Sequence, residues 1–167
     1  NLVMLDTKKK INEELKKKKI SKILKNGGND LPQITKTKNN LLRKKNESII
    51  FNYALRKKIP ILAICYGFQF VADFYGVKIK SIKNHVKKNH SLIFKKDNLI
   101  KTIKVNSFHN YAIYDLPKFF NQIIRCKDGS SEFARSASKK ILCMMFHPER
   151  KMPSQRKIMQ VLKNFIK

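Results

Sequence analysis

Apolar and polar positions change rhythm twice along the 167 residues. Up to about residue 75 the pattern alternates between strand and helix. Leu2–Leu5 is a short apolar run. Lys8–Lys19 is a charged stretch with Ile11 and Leu15 four apart, which sets both on one helical face. Ile23 and Leu24 read as a strand closed by the turn signal Gly27-Gly28-Asn29-Asp30. Asn40–Lys58 carries Leu42, Ile49, Ile50, Tyr53 and Ala54 as an inner stripe among lysines and arginines, the pattern of an amphipathic helix. Pro60 stops that helix, and Ile61–Ile64 is a continuous apolar run, as a strand buried on both faces requires. Tyr66–Tyr75 predicts a short helix with Gly76 as its C-terminal cap.

Beyond residue 76 the rhythm shortens. VKIK, SLIF, LIKTIKV, QIIRC, EFARSA and ILCMMF are brief and β-rich, separated by Asn, Asp, Gly or Pro. Pro153 and Ser154 open a last helix, with Ser154 as N-cap and Ile158, Val161, Leu162 and Phe165 at helical spacing. The alternation, without internal repeat or linker, predicts one α/β domain over residues 1–167, built on a mostly parallel sheet with helices on both faces. Chemistry in such sheets gathers at the carboxyl ends of the strands. Two ends here are notable: the Gly27-Gly28 turn and Cys65-Tyr66-Gly67.

Composition narrows the class. A hydrophobic content of 42% suits an ordinary core. No apolar stretch approaches the roughly 20 residues of a membrane span, and the opening residues do not read as a signal peptide. Three cysteines without close spacing argue against a disulfide framework and fit a reducing cytoplasm. Lys plus Arg number 38 against 11 Asp plus Glu, a formal net charge of +27. The lysines are spread along the whole chain, so nonspecific polyanion binding is expected ahead of a dedicated nucleic-acid site.

Cys65 ends an apolar strand and begins a helix, with the small residues Ala63 and Gly67 two positions to either side. A nucleophile on a strained strand-to-helix elbow needs such neighbours, and the helix N-terminus is expected to lower its thiol pKa. The alternative is a small core hydrophobe. A thiolate needs a proton shuttle. His147 follows another apolar strand, so it would share a rim with Cys65, and Glu149 two residues on could orient its imidazole. Alone, His147 reads as a turn residue. Gly27-Gly28 and the Tyr66 amide offer backbone N–H donors for an oxyanion, although Gly-Gly alone is an ordinary turn.

The segments GGND, AICYGFQF, VNSFHNYAI and MMFHPER, in this order, resemble the class I glutamine amidotransferases, and within them the γ-glutamyl-γ-aminobutyrate hydrolase branch. The resemblance runs from about Ile23 to the C-terminus. It implies a flavodoxin-like fold and a Cys65–His147–Glu149 triad. Gly28 and the Tyr66 amide would form the oxyanion hole, and Gly27, Gln69, Ser107, Phe108 and His109 would bind substrate. The reaction implied is hydrolysis of a γ-glutamyl amide through a thioester, without metal or organic cofactor. The partners implied are a small γ-glutamyl substrate and, where ammonia leaves, a separate synthase subunit; no membrane is involved. Ala63 stands where the family has glycine, and Phe146 where tryptophan is common. The family's first strand and helix are expected to be missing ahead of NLVML. The competing expectation is an inactive truncated relative that binds a partner or nucleic acid through its basic surface.

The remaining candidates are expected to be inert. His85 and His90 are five apart without carboxylate or cysteine companions in the sequence, so no metal site is expected there. Cys126 and Cys143 fall in apolar strand runs and read as core. Glu132 reads as a strand residue near the rim, with no catalytic role.

Overall fold

A computed structural model describes residues 8–28, 30–96 and 99–166; the Leu2–Leu5 run lies outside the described residues. The first half contains α1 (Lys8–Lys17), β1 (Ile23–Lys25), α2 (Lys38–Arg56), β2 (Ile61–Ile64) and α3 (Tyr66–Phe74). The second half contains β3 (Lys80–Ser81), β4 (Val86–Lys96), β5 (Leu99–Phe108), β6 (Tyr111–Ala112), β7 (Gln122–Arg125), β8 (Ser131–Ser136), β9 (Ile141–Met144) and α4 (Gln155–Ile166).

Seven strands form one sheet in the order β1-β2-β9-β8-β7-β4-β5, while β3 and β6 pair apart from it. β1, β2 and β9 run parallel, with Ala63 in register with both Lys25 and Cys143. α2 makes the crossover from β1 to β2, as a parallel pair requires. Beyond β9 every pairing is antiparallel. The expected flavodoxin-like arrangement thus holds the parallel end, and four further strands extend the sheet in antiparallel fashion. VKIK supplies only the edge of β3, and Cys126 falls just past the end of β7.

Both faces of the sheet are covered. Ile141 and Cys143 of β9 join Ile61 and Ala63 against the helical cluster of Phe51, Phe68 and Phe70. Leu142 and Met144 point the other way, onto Ile158 and Leu162 of α4. β9 is therefore apolar at every position because both of its faces are core. The α2 stripe differs from expectation. Leu42 is 45% exposed, and the anchor is Phe51, whose ring meets those of Phe70 at 5.6 Å and Phe74 at 4.7 Å. Gly76 caps α3 in the left-handed region, φ 78°, as expected. Ser154 precedes α4, and its carbonyl accepts from the Ile158 N–H at 3.1 Å, while its hydroxyl accepts from the Lys104 N–H at 3.1 Å and ties α4 to β5.

Candidate active site

Cys65 stands at the carboxyl end of β2. Its N–H donates to the Met144 carbonyl at 2.7 Å, which prolongs the β2–β9 pairing by one residue. The backbone then bends to φ 49°, ψ −104° before α3 begins. A residue with a β-carbon holds such a conformation only under strain, on the order of 1–3 kcal/mol. The elbow predicted from the flanking small residues is therefore present. Gly67 is required for a further reason. A β-carbon there would lie 2.3 Å from the Lys25 carbonyl oxygen, so its absence lets the first turn of α3 close on β1.

His147 follows β9, and its Nδ1 lies 2.6 Å from Glu149 Oε1. Because the carboxylate accepts, Nδ1 carries the proton, which leaves Nε2 as the basic nitrogen. Gly27 borders both this imidazole and the base of the Cys65 side chain. A β-carbon on Gly27 would stand 3.1 Å from His147 Cε1 and 3.9 Å from Cys65 Cβ, so the missing side chain leaves the space between them open. Gly28 turns the other way; a β-carbon there would meet the Arg43 guanidinium.

Asn106, absent from the sequence expectations, holds the histidine. Its Oδ1 accepts from the His147 N–H at 2.8 Å, and its Nδ2 donates to the His147 carbonyl at 2.9 Å. Asn106 is buried. The signal was available in VNSFHN, where an asparagine sits inside an apolar strand that would otherwise leave a buried amide unpaired.

The electrostatics correct one expectation. Burial pushes the Cys65 thiol up to about 11, and Glu132 and Glu149 add to the rise. The Tyr66 N–H and Arg150 pull it down, but desolvation outweighs them. The helix start therefore does not produce a resting thiolate. Beneath the elbow, Glu47 takes Lys25 Nζ at 3.2 Å, Arg43 Nε at 3.0 Å and the Tyr66 hydroxyl at 2.9 Å. The Lys25 ammonium also stands 3.6 Å over the Phe70 ring, and burial lowers its pKa to about 8.

The other expected residues divide into two groups. Phe108 lines the histidine, with its ring edge-on to His147 at 5.7 Å and the Arg150 guanidinium 4.4 Å over its face. Gln69 is buried, with Nε2 3.5 Å from the Tyr111 carbonyl. The Ser107 hydroxyl donates to the His85 carbonyl. His109 turns inward, with Nδ1 2.9 Å from the Tyr111 carbonyl and Nε2 3.2 Å from Glu132 Oε1. The expectation that His85 and His90 lack companions is overturned. His85 Nε2 lies 2.7 Å from Asp128 Oδ2, and His90 Nδ1 lies 3.6 Å from Cys126 Sγ. Cys126 is accordingly half-buried beside an imidazole and not a core residue, because β7 ends before it. Sequence spacing could not reveal this cluster, which forms where the start of β4 meets the β7–β8 turn, some 36–43 residues on. A groove of about 590 Å³ on the α4 face, lined by Leu92, Ile103, Phe133 and Ile158, includes none of these site residues.

The fold and the elbow together define an α/β domain with a strained cysteine at the carboxyl edge of its parallel strands. The family model for glutamine amidotransferase class-I matches residues 1–167, and the chain belongs to that family. It is 33% identical over 135 residues to a γ-glutamyl-CDP-amidate hydrolase of Campylobacter jejuni, covering 78% of this chain and 63% of that protein. It is 30% identical over 164 residues to a glutamine-hydrolysing GMP synthase subunit of Methanococcus vannielii, covering 93% of this chain and 77% of that one. The chain thus spans less than two thirds of the Campylobacter relative. A glutamine amidotransferase structure from Thermotoga maritima superposes with a TM-score of 0.62 at 20% identity, over 84% of this chain and 62% of that one. The flavodoxin-like expectation is borne out. Among the described residues no helix is long and apolar enough to cross a membrane.

Proposed function

We propose that the chain hydrolyses a γ-glutamyl amide with Cys65 as nucleophile, His147 as general acid and base, and Glu149 as the group that orients the imidazole. The observation that carries this reading is the strained Cys65 elbow and an imidazole bonded to a carboxylate, both bordering the side-chain-free Gly27. Because the resting thiol is protonated, attack and proton removal belong to one step. His147 Nε2 takes the thiol proton as sulfur bonds to the amide carbon. The amides of Gly28 and Tyr66 hold the oxyanion. When the tetrahedral species collapses, the carbon–nitrogen bond breaks and the imidazolium gives its proton to the departing amine. A γ-glutamyl thioester remains. His147 next takes a proton from water as the oxygen attacks the thioester. Collapse releases glutamate, and the sulfur regains its proton from the imidazolium.

Gln69 and Phe108 are the side chains proposed to border the substrate. Ser107 and His109 hold hydrogen bonds inward and shape the wall behind it. For the leaving group, the likeness to a γ-glutamyl-CDP-amidate hydrolase and the net charge of +27 favour an amine that bears phosphate. Ammonia passed to a separate synthase subunit is the second reading, supported by the likeness to the Methanococcus GMP synthase subunit. The test is glutamate release from γ-glutamyl-CDP-amidate and from glutamine by the wild type and Cys65→Ala. The expected result is release by the wild type, faster from the amidate, with none from the variant. Release by Cys65→Ala would overturn the mechanism, and a preference for glutamine would move the reading to the synthase partner.

A further inference from the structure

Four ionisable side chains that the proposed hydrolysis does not use converge behind the site. His85 precedes β4, His90 lies on it, His109 follows β5 and Glu132 lies on β8. His85, His109 and Glu132 are buried, and His90 is half-buried. The three imidazoles each offer a ligand atom, all within 4.8 Å of one another.

Hydrogen bonding assigns the ring protons. The Asp128 carboxylate accepts from His85 Nε2, and the Tyr111 carbonyl accepts from His109 Nδ1. The neutral rings therefore present bare lone pairs at His85 Nδ1 and His109 Nε2. These two nitrogens face each other at 3.4 Å. Both also face Glu132 Oε1, at 3.7 Å and 3.2 Å, and that carboxylate is itself an acceptor. Three acceptors thus meet with no donor among them, inside the protein. Two further polar atoms point to the same deficit: Glu132 Oε2 and His90 Nε2 are buried without a hydrogen-bond partner. Leaving such atoms unpaired costs about 1–3 kcal/mol each. A cation held among them would take the lone pairs of His85 Nδ1, His109 Nε2 and Glu132 Oε1, with a His90 ring nitrogen close by.

The spacing identifies the kind of cation. Metal–nitrogen bonds of about 2.0–2.1 Å in a tetrahedron set ligand atoms about 3.3 Å apart. The separations of 3.2, 3.4 and 3.7 Å fall around that value. A carboxylate or carbonyl on the far nitrogen of a ligating histidine is the usual outer support for a bound metal, and both His85 and His109 have one. A donor set rich in imidazole selects borderline transition ions over calcium or magnesium. We infer that His85, His90, His109 and Glu132 form a binding site for one divalent transition-metal ion of the zinc type. The ion would join β4, the end of β5 and β8 behind the wall of the active site. This inference is independent of the hydrolase reading and adds no step to it.

The test is Co²⁺ titration of the metal-stripped full chain, with Zn²⁺ as competitor. The expected result is one equivalent with the visible bands of tetrahedral cobalt and no sulfur-to-metal charge transfer, displaced by Zn²⁺. Cys65→Ser keeps that spectrum, while His90→Ala and Glu132→Gln each lose at least tenfold in affinity. Zn²⁺ raises the Tm of the wild type and not that of His90→Ala. A charge-transfer band would put the metal on a thiolate such as Cys126 and overturn the site. Unchanged affinity in His90→Ala, or no cobalt bound by the wild type, would overturn it equally and assign the cluster to a shared proton. The wild-type spectrum and stoichiometry decide the matter even where a variant fails to fold.

Discussion

At the scale of single residues, the state of the Cys65 proton makes a measurable claim. With the thiol pushed up to about 11, the thiolate fraction rises roughly tenfold per pH unit through the neutral and mildly alkaline range. Iodoacetamide labelling of the Cys65 peptide, followed by mass spectrometry, should accelerate from pH 7 to pH 10 without a plateau. A plateau near pH 7 would show a preformed thiolate–imidazolium pair instead. Lys25 titrates with the opposite consequence for stability. The native state releases its proton at about 8, the unfolded state at 10.5. Between those values the unfolded chain binds more protons, so stability rises with pH across that window and the burial cost is fully present below it. Denaturant unfolding at pH 7 and pH 10 should show that rise, and Lys25→Met should abolish it. The size is about 3 kcal/mol at most.

At the scale of elements, the histidine turn depends on a strand it does not belong to. Asn106→Ala leaves the His147 N–H and carbonyl without their β5 partner. We expect a loss of about 1–3 kcal/mol, read from the denaturant midpoint, and at least a tenfold fall in glutamate release. Gly67→Ala places a methyl against the Lys25 carbonyl, and the parting of α3 from β1 should cost a similar amount. The chain's own pattern made much of this visible. β2, α3, the Gly76 cap and the elbow at Cys65 follow from local rules of period and turn chemistry. The buried face of α2 did not, because a lysine-rich helix carries apolar residues on several sides, and only contact with α3 selects Phe51 over Leu42. Nor did the clamp by Asn106 or the gathering of His85, His90 and His109. Those arise from tertiary contacts such as Asn106 with His147 and His109 with Glu132, between residues 41 and 23 apart in the chain, which no local spacing records.

At the scale of the whole molecule, a net charge of +27 on 167 residues sets a self-repulsion that acts against the compact state. Raising NaCl should therefore raise the Tm until screening is complete, within a Debye length of about 3 Å near 1 M. A Tm that falls with salt would show instead that attractive pairs such as Lys44–Asp73 dominate. The two covered faces of the sheet have one more consequence. Cys143 lies in the strand shared by both cores, fully enclosed, with burial driving its thiol far from reactivity. Its side chain faces the α2–α3 layer, so only the parting of that layer from the sheet uncovers it. Its modification by a thiol reagent would consequently keep time with that opening, an internal stopwatch for how long α2 and α3 stay seated on the sheet.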